Sequence, residues 1–399
     1  MNDLVHGSVF TSGLLLFQLP AVSLLLYRLR QSVLRRPPLA PCESDPATAG
    51  EISVLVPTLN EGERIHPCLQ GLQQQGPAVG EVVVIDSRSQ DDTVDKVLAM
   101  QAQDPRFRVI TDDPLPAGWV GRPWALHTGY LNSDPKSTWI LGIDADTRPQ
   151  PGLAASLLRV AVLEGFDVIT LAPQFLLEHW GEAWLQPALL VTLIYRFGAA
   201  GDPMPPHRIL ANGQCFLARK SVLDQVQGYT SARASFCDDV TLVRHIATQG
   251  YKVGFLDGSR LLQVRMYTSL AETWREWGRS LDLKDASTPW HTWGDWMFLL
   301  AVQGLPLPTL LLLLAQQAWQ SNSLSALVGL GLNAGLVIFR WGLCLGIAGS
   351  YVHRPWTFWL SPLADPLAVL RIGLSALSQP RSWRGRSYKQ FSSQDLSSS

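Results

Sequence analysis

Residues 139–152 read WILGIDADTRPQPG. The apolar run Trp139-Ile140-Leu141 is followed directly by two carboxylates one residue apart, Asp144 and Asp146. Along a strand, residues i and i+2 point to the same face. A strand that ends here projects both carboxylates from its carboxyl edge. Two adjacent like charges are unfavourable unless something cationic lies between them. The competing reading is a solvated turn in which Asp146 caps the loop before Pro149 and Pro151.

Working outward, strand-like runs alternate with helix-like segments over residues 51–290. The runs are ISVLVPTL (52–59), EVVVID (81–86), FRVIT (107–111), WILGID (139–144) and FDVITLA (166–172). Between them lie helical patterns such as RIHPCLQGLQQ and TVDKVLAMQAQ. This alternation predicts an α/β domain with a mostly parallel sheet. Ligands of such sheets bind outside the carboxyl ends of the strands, so the residues just after each strand are the ones to inspect.

Charge is nearly balanced, with 32 basic and 33 acidic residues, which gives no nucleic-acid signal. Charged residues are only 16% of the chain and there are 15 Trp, a composition suited to contact with a bilayer. The five Cys are scattered, with no CxxC, so neither a disulfide framework nor a zinc site is indicated.

Residues 1–36 hold an uncharged stretch at 7–27, long enough to cross a bilayer core. The basic residues Arg28, Arg30, Arg35 and Arg36 follow it, which favours a retained anchor over a cleaved signal peptide and puts the next segment in the cytoplasm. A Pro-rich linker occupies 37–50. Residues 291–380 contain two further stretches of spanning length, 296–319 and 324–348. Residues 356–378 are interrupted by Pro362, Asp365, Pro366 and Arg371 and read as interfacial or re-entrant, which leaves the basic start of the tail at 381–399 cytoplasmic; the tail's end is polar and reads as disordered. Arg340, costly in lipid, is expected to face protein or to snorkel. Residues 176–197 read as an amphipathic interfacial helix or pair, or else as a buried helix.

Several residues after the strands can carry chemistry. Pro57 ends the first strand and Asn60-Glu61-Gly62 turns into a helix. Asp86 stands where a doubly wound sheet binds a nucleoside; the alternative is a helix cap, which Asp91 and Asp92 can also supply. Gly118 and Gly121 flank Trp119-Val120 ahead of Arg122, a loop suited to a diphosphate or simply a surface loop. Asp238 and Asp239 precede a helical run, as a reactive pair or as its cap. Neither GxGxxG nor GxxxxGK[ST] occurs.

In order, VPTLNEGERI, VIDSRSQDDT, GWVGRPWAL, DAD, ANGQCFLARK, DDVTL and WREWGRS resemble the motifs of inverting glycosyltransferases of family 2, over about 52–280. The GW-x-G-basic loop and the apolar zones resemble the lipid-glycosylating branch, which includes ceramide, hopanoid-associated and carotenoid glycosyltransferases. The resemblance implies a GT-A-type, Rossmann-like nucleotide-sugar domain with N- and C-terminal transmembrane helices, in a bacterial plasma or thylakoid membrane. It implies transfer from a nucleotide-sugar donor to a hydroxyl of a lipophilic acceptor drawn from the bilayer, a carotenoid first, a hopanoid or ceramide-type lipid otherwise. Its donor residues are Pro57, Asn60, Glu61, Asp86, Arg122, Asp144, Arg275 and Arg279. Asp146 and Asp144 would hold Mg2+ or Mn2+, and Asp239 would be the general base with Asp238 beside it. Three positions depart from the family pattern. Asp86-Ser87 replaces a paired acid, Asp238-Asp239 replaces Glu-Asp, and Arg122 replaces Lys. A processive polysaccharide synthase and a non-catalytic membrane scaffold are the rival readings.

Overall fold

The computed structural model describes residues 2–30, 36–201, 204–277, 281, 283–321, 323–377, 382–383 and 386–387. They fall into two compact units that interleave along the chain: Arg36–Leu176, Ala200–Met266 and Pro380–Ser399 in one, Met1–Arg35, Leu177–Ala199 and Tyr267–Gln379 in the other.

Among the described residues, two sheets of the first unit use the strands β1 (Ile52–Thr58), β2 (Val79–Asp86), β3 (Phe107–Thr111), β4 (Trp139–Ile143), β5 (Thr147–Pro149), β6 (Val168–Ala172), β7 (Gln174–Phe175), β8 (Cys215–Arg219), β9 (Val253–Asp257) and β10 (Leu262–Val264). Seven make one sheet in the order β3-β2-β1-β4-β8-β6-β9, and β5-β10-β7 make a small second sheet. The near-continuous apolar runs in β1 and β2 follow from burial on both faces. Val54, Val56, Val82 and Val84 pack with Ile65, Leu69, Leu72 and Leu157 from helices on one side. On the other side, the helix Gly121–Leu131 brings Gly129 against Leu55 and Ile85.

The five expected strands are all present. The sheet is mixed, because β8 runs antiparallel between β4 and β6. Its sequence, CFLAR, has no β-branched residue, and its pairing is set by its neighbours rather than by propensity. Pro57 does not end β1, which continues to Thr58 alongside Asp86. The stretch 37–50 lies along this unit: the Leu39 amide donates to the Asp257 carbonyl at 2.9 Å, and the Cys42 amide to Ser156 Oγ at 2.9 Å.

In the second unit, Thr11–Leu29 and Leu324–Ser350 are long and apolar enough to cross a membrane. Pro289–Gly304 and Pro306–Ala315 are together long enough for a third crossing, with a 42° bend between them. Polar side chains set the packing. Thr11 bonds Ser325 at 3.1 Å and Gln18 bonds Asn333 at 2.9 Å, so those two helices run parallel. Arg340 faces protein: its Nε bonds Asp365 at 3.1 Å, and Asp365 also accepts from Gln303 at 3.1 Å. Residues 356–377 form two helices, Trp356–Trp359 and Asp365–Leu377, joined by the 3-10 helix Ser361–Ala364. The segment 176–197 becomes one helix, Trp180–Phe197, enclosed along most of its length with Trp180 exposed, which favours the buried alternative.

The helix Ile65–Gln73 touches β5, the strand that follows Asp146. A Cβ at Gly71 would lie 2.3 Å from the Pro149 carbonyl oxygen. Gly71→Ala is therefore expected to lower stability by about 1–3 kcal/mol, read as a fall in the thermal midpoint of the purified protein. An unchanged midpoint would mean that β5 yields freely.

Candidate active site

β1, β2 and β4 are parallel neighbours, so their carboxyl ends lie side by side. After β1, Asn60 takes a left-handed conformation with φ 54°. Its amide donates to Ser89 Oγ at 2.9 Å, and its side-chain oxygen accepts from the Gln90 amide at 2.8 Å. The Glu61 amide donates to Thr93 Oγ1 at 2.9 Å, and the Glu61 side chain is buried. These contacts join the loops after β1 and β2.

Asp86 is buried at the end of β2. Its carboxylate accepts from the Ser89 amide at 3.0 Å, Ser89 Oγ at 2.6 Å and Thr58 Oγ1 at 3.3 Å. It therefore does not cap the helix that starts at Thr93; Asp91 bonds that amide, at 3.1 Å. Ser87, where the family pattern has an acid, donates to Asp112 at 2.7 Å, so a carboxylate from the end of β3 stands beside it.

Arg122 is the hub of the site. Gly118, at φ 83°, makes the left-handed turn that only glycine adopts easily. The Val120 amide is pinned to the Arg233 carbonyl at 2.7 Å, and the helix Gly121–Leu131 then begins. From its first turn, Arg122 donates to Asp144 Oδ1 through Nε at 3.1 Å and Nη2 at 2.8 Å. Nη2 also reaches the Gly213 carbonyl at 2.7 Å, and Nη1 is paired with Asp238. The Gly213 amide donates to Asp239 Oδ2 at 2.7 Å. A Cβ at Gly213 would sit 2.6 Å from Arg122 Nη2. Asp238 and Asp239 occupy the first turn of the helix Asp238–Thr248, where the helix dipole favours negative charge. The residue before them, Cys237, is the cap, and no side chain caps that end.

Three carboxylates, Asp144, Asp238 and Asp239, thus act on one guanidinium, and the Asp146 carboxylate feels both Arg64 and Arg122. Burial pushes the Asp146 carboxyl up to about 7, with the Asp144 charge adding to the rise and Arg64 and Arg122 opposing it. Burial also pushes Asp238 up to about 7, against the pull of Arg122. Asp239 is raised by burial, with Arg122 and the amides of Val240 and Gly213 acting the other way. For Arg122, burial alone favours the neutral form, but Asp144, Asp238 and Asp239 outweigh it and hold the charge. The cluster is short of positive charge. Its donor set suits a divalent cation bound by one or two carboxylates and completed by phosphate oxygens. Among the described residues, no three His, Cys, Asp or Glu side chains form a self-sufficient cage.

The structure brings together Arg122, Asp144, Asp146, Asp238 and Asp239, with Asp86, Asn60 and Glu61 on the neighbouring strand ends. Arg275 lies in the other unit, exposed and 3.4 Å from Glu276. Arg279 lies outside the described residues. Gly213 and Asp112 were missed by sequence reasoning. Gly213 acts through its backbone, and only its place in ANGQC, just ahead of a strand, marks it.

Residues 53–227 match the family described as glycosyl transferase family 2. A curated relative, 4,4'-diaponeurosporenoate glycosyltransferase of Staphylococcus haemolyticus (strain JCSC1435), is 23% identical over 245 residues, 61% of this chain and 64% of that protein. The match spans just under two thirds of the relative's length. A solved mannosyltransferase of Pyrobaculum calidifontis, in complex with GDP-Man and Mn2+, is 17% identical with a TM-score of 0.54, covering 93% of this chain and 98% of that one. That likeness shows a shared fold, the one found in GT-A glycosyltransferases.

Removing the hub strands two carboxylates. Arg122→Ala is expected to cost on the order of 3 kcal/mol, seen as a lower thermal midpoint. Arg122→Lys recovers part of it, because the charge stays while the fork is lost. An Arg122→Ala protein with the wild-type midpoint would contradict this account.

Proposed function

Since residues 53–227 are a glycosyl transferase family 2 domain, we propose that this protein moves a sugar from a nucleotide-sugar to a membrane lipid, inverting the anomeric centre. The observation that carries the reading is the cluster of Asp144, Asp146, Asp238 and Asp239 around Arg122 at the carboxyl edge of the sheet.

In this mechanism the donor's nucleoside rests against the loops after β1 and β2, with Asp86 facing the ribose and Pro57, Asn60 and Glu61 forming the wall. Mg2+ or Mn2+ held by Asp146 and Asp144 would offset the negative charge that develops on the departing diphosphate. Arg122 adds positive potential beside it and keeps Asp144 and Asp238 in place. Asp239 takes the proton from the acceptor hydroxyl as its oxygen attacks the anomeric carbon. Burial raises its pKa above the usual carboxylate value, which makes it a stronger base. The Gly213 amide, bonded to Oδ2, holds the carboxylate in place for that role.

The acceptor in this reading is a carotenoid, glycosylated at a 2'-hydroxyl of the myxol type; a hopanoid or ceramide-type lipid is the alternative. Support comes from the curated relative, which is named for a carotenoid-type acceptor, and from the two helices able to cross a membrane. The helix Trp180–Phe197 and the C-terminal helices would guide the lipid. The arginines after the first apolar stretch support a cytoplasmic side for the catalytic unit.

Membranes carrying the protein are to be assayed with labelled UDP-, GDP- and dTDP-sugars against a hydroxylated carotenoid, a carotenoid carboxylic acid, a hopanoid and a ceramide. The expected result is transfer to the hydroxylated carotenoid, lost with a chelator and reduced about 10²- to 10⁴-fold in Asp239→Asn. Transfer to the hopanoid or ceramide alone would replace the acceptor. No transfer to any lipid, with Asp239→Asn like wild type, would favour the scaffold reading.

A further inference from the structure

The loop ahead of β8 carries two side-chain amides, Asn212 and Gln214, that the mechanism above does not use. Asn212 Nδ2 donates to Gln214 Oε1 at 3.1 Å, and the Gln214 backbone amide donates to Asn212 Oδ1 at 3.0 Å. A carboxamide carries one acceptor oxygen and two donor hydrogens on its nitrogen. With its oxygen engaged, the Gln214 side chain has its nitrogen left to offer. That nitrogen bonds no protein atom among the described residues, although Gln214 is only 6% exposed. It is not sealed from solvent. Asn212, beside it, is half-buried.

The register of the sheet gives this side chain its direction. β4 and β8 pair antiparallel, with Gly142 opposite Phe216 and Ile143 opposite Cys215. The pairing runs one residue further, because the Asp144 amide donates to the Gln214 carbonyl at 3.4 Å. Directly opposed residues of an antiparallel pair point to the same face, with Cβ atoms about 5 Å apart. Gln214 therefore stands beside Asp144, on the face where the Asp144 carboxylate meets Arg122. The previous pair on that face agrees: a Cβ at Gly142 would lie 3.9 Å from Phe216 Cβ and 3.5 Å from Leu126, which shares a helix with Arg122. The residue before Gln214 is Gly213, whose amide holds Asp239 at 2.7 Å. Two consecutive residues thus join Asp144 to Asp239.

We propose that Gln214 recognises the transferred sugar, its amide nitrogen donating to a hydroxyl of the sugar ring, with Asn212 as its positioning residue. This assignment rests on the glycosyltransferase reading above. In that reading the diphosphate is held at Asp144 and Asp146, and the acceptor loses its proton to Asp239. The sugar is bonded to the first and attacked from the second, so it lies between them, alongside Gln214. A neutral amide can donate to the hydroxyl oxygen and leave the hydroxyl's own hydrogen for a neighbouring carboxylate. The bond from Asn212 orients the amide before the sugar arrives, which leaves little ordering to complete on binding.

The test compares the purified full chain with Gln214→Met and Asn212→Ala, in Mg2+, titrated with UDP, GDP, dTDP, UDP-glucose, GDP-mannose and dTDP-rhamnose. Methionine keeps the length of the side chain and removes its donor. Gln214→Met is expected to bind the nucleoside diphosphates like wild type, and to bind whichever nucleotide-sugar wild type takes up about 10-fold more weakly. Asn212→Ala, at a half-buried position, should show a smaller loss of the same kind. Wild-type affinity for the nucleotide-sugar in Gln214→Met, or losses for the nucleoside diphosphate that match those for the sugar in both variants, overturns the assignment. So does wild-type protein that binds nucleoside diphosphates but none of the three nucleotide-sugars. Wild-type protein that binds none of the six probes overturns the glycosyltransferase reading itself, and the assignment with it.

Discussion

One guanidinium holds the candidate site together. Arg122 ties the end of β4, through Asp144, to the loop before β8, through the Gly213 carbonyl, and to the helix that starts at Asp238. These partners are 22, 91 and 116 residues away in sequence. Buried charges are tolerated only when paired, and losing one partner leaves the others with a desolvation cost that nothing offsets. The geometry of Asp144 and Asp238 therefore depends on Arg122. Asp239 depends on it indirectly, since Gly213 bonds both.

The pairing also sets the electrostatics. Burial raises Asp146 and Asp238 to about 7, and the opposing pull of Arg64 and Arg122 on Asp146, and of Arg122 on Asp238, does not cancel it. Such a cluster gains from a ligand that brings positive charge and loses from a bare anion. A nucleoside diphosphate accompanied by a divalent cation meets that requirement. A free anion does not.

Much of the sheet was legible because burial on both faces leaves uninterrupted Val/Ile/Leu runs. β8 was not, since CFLAR has neither alternation nor β-branched residues and owes its place to β4 and β6. Its antiparallel course matters, because it delivers Gly213 to the carboxyl edge where Asp144 ends β4. Within the site, Asp144, Asp146, Arg122, Asp238 and Asp239 could be picked out by residue type and by position after strands. Their mutual pairing could not: Arg122 looked like a ligand for phosphate, whereas its fork is bonded to protein carboxylates. Gly213 was illegible for another reason: it works through its backbone, and that property is not written in residue identity.

The central claim is that this carboxylate cluster binds a divalent cation together with a nucleoside diphosphate. Electron paramagnetic resonance of added Mn2+, with and without GDP or UDP, measures this directly on the purified protein. The account predicts that Mn2+ binds tightly only when a nucleoside diphosphate is present, and that Asp146→Asn abolishes that coupling while remaining folded. Mn2+ binding that ignores the nucleotide, or coupling that survives Asp146→Asn unchanged, would contradict it.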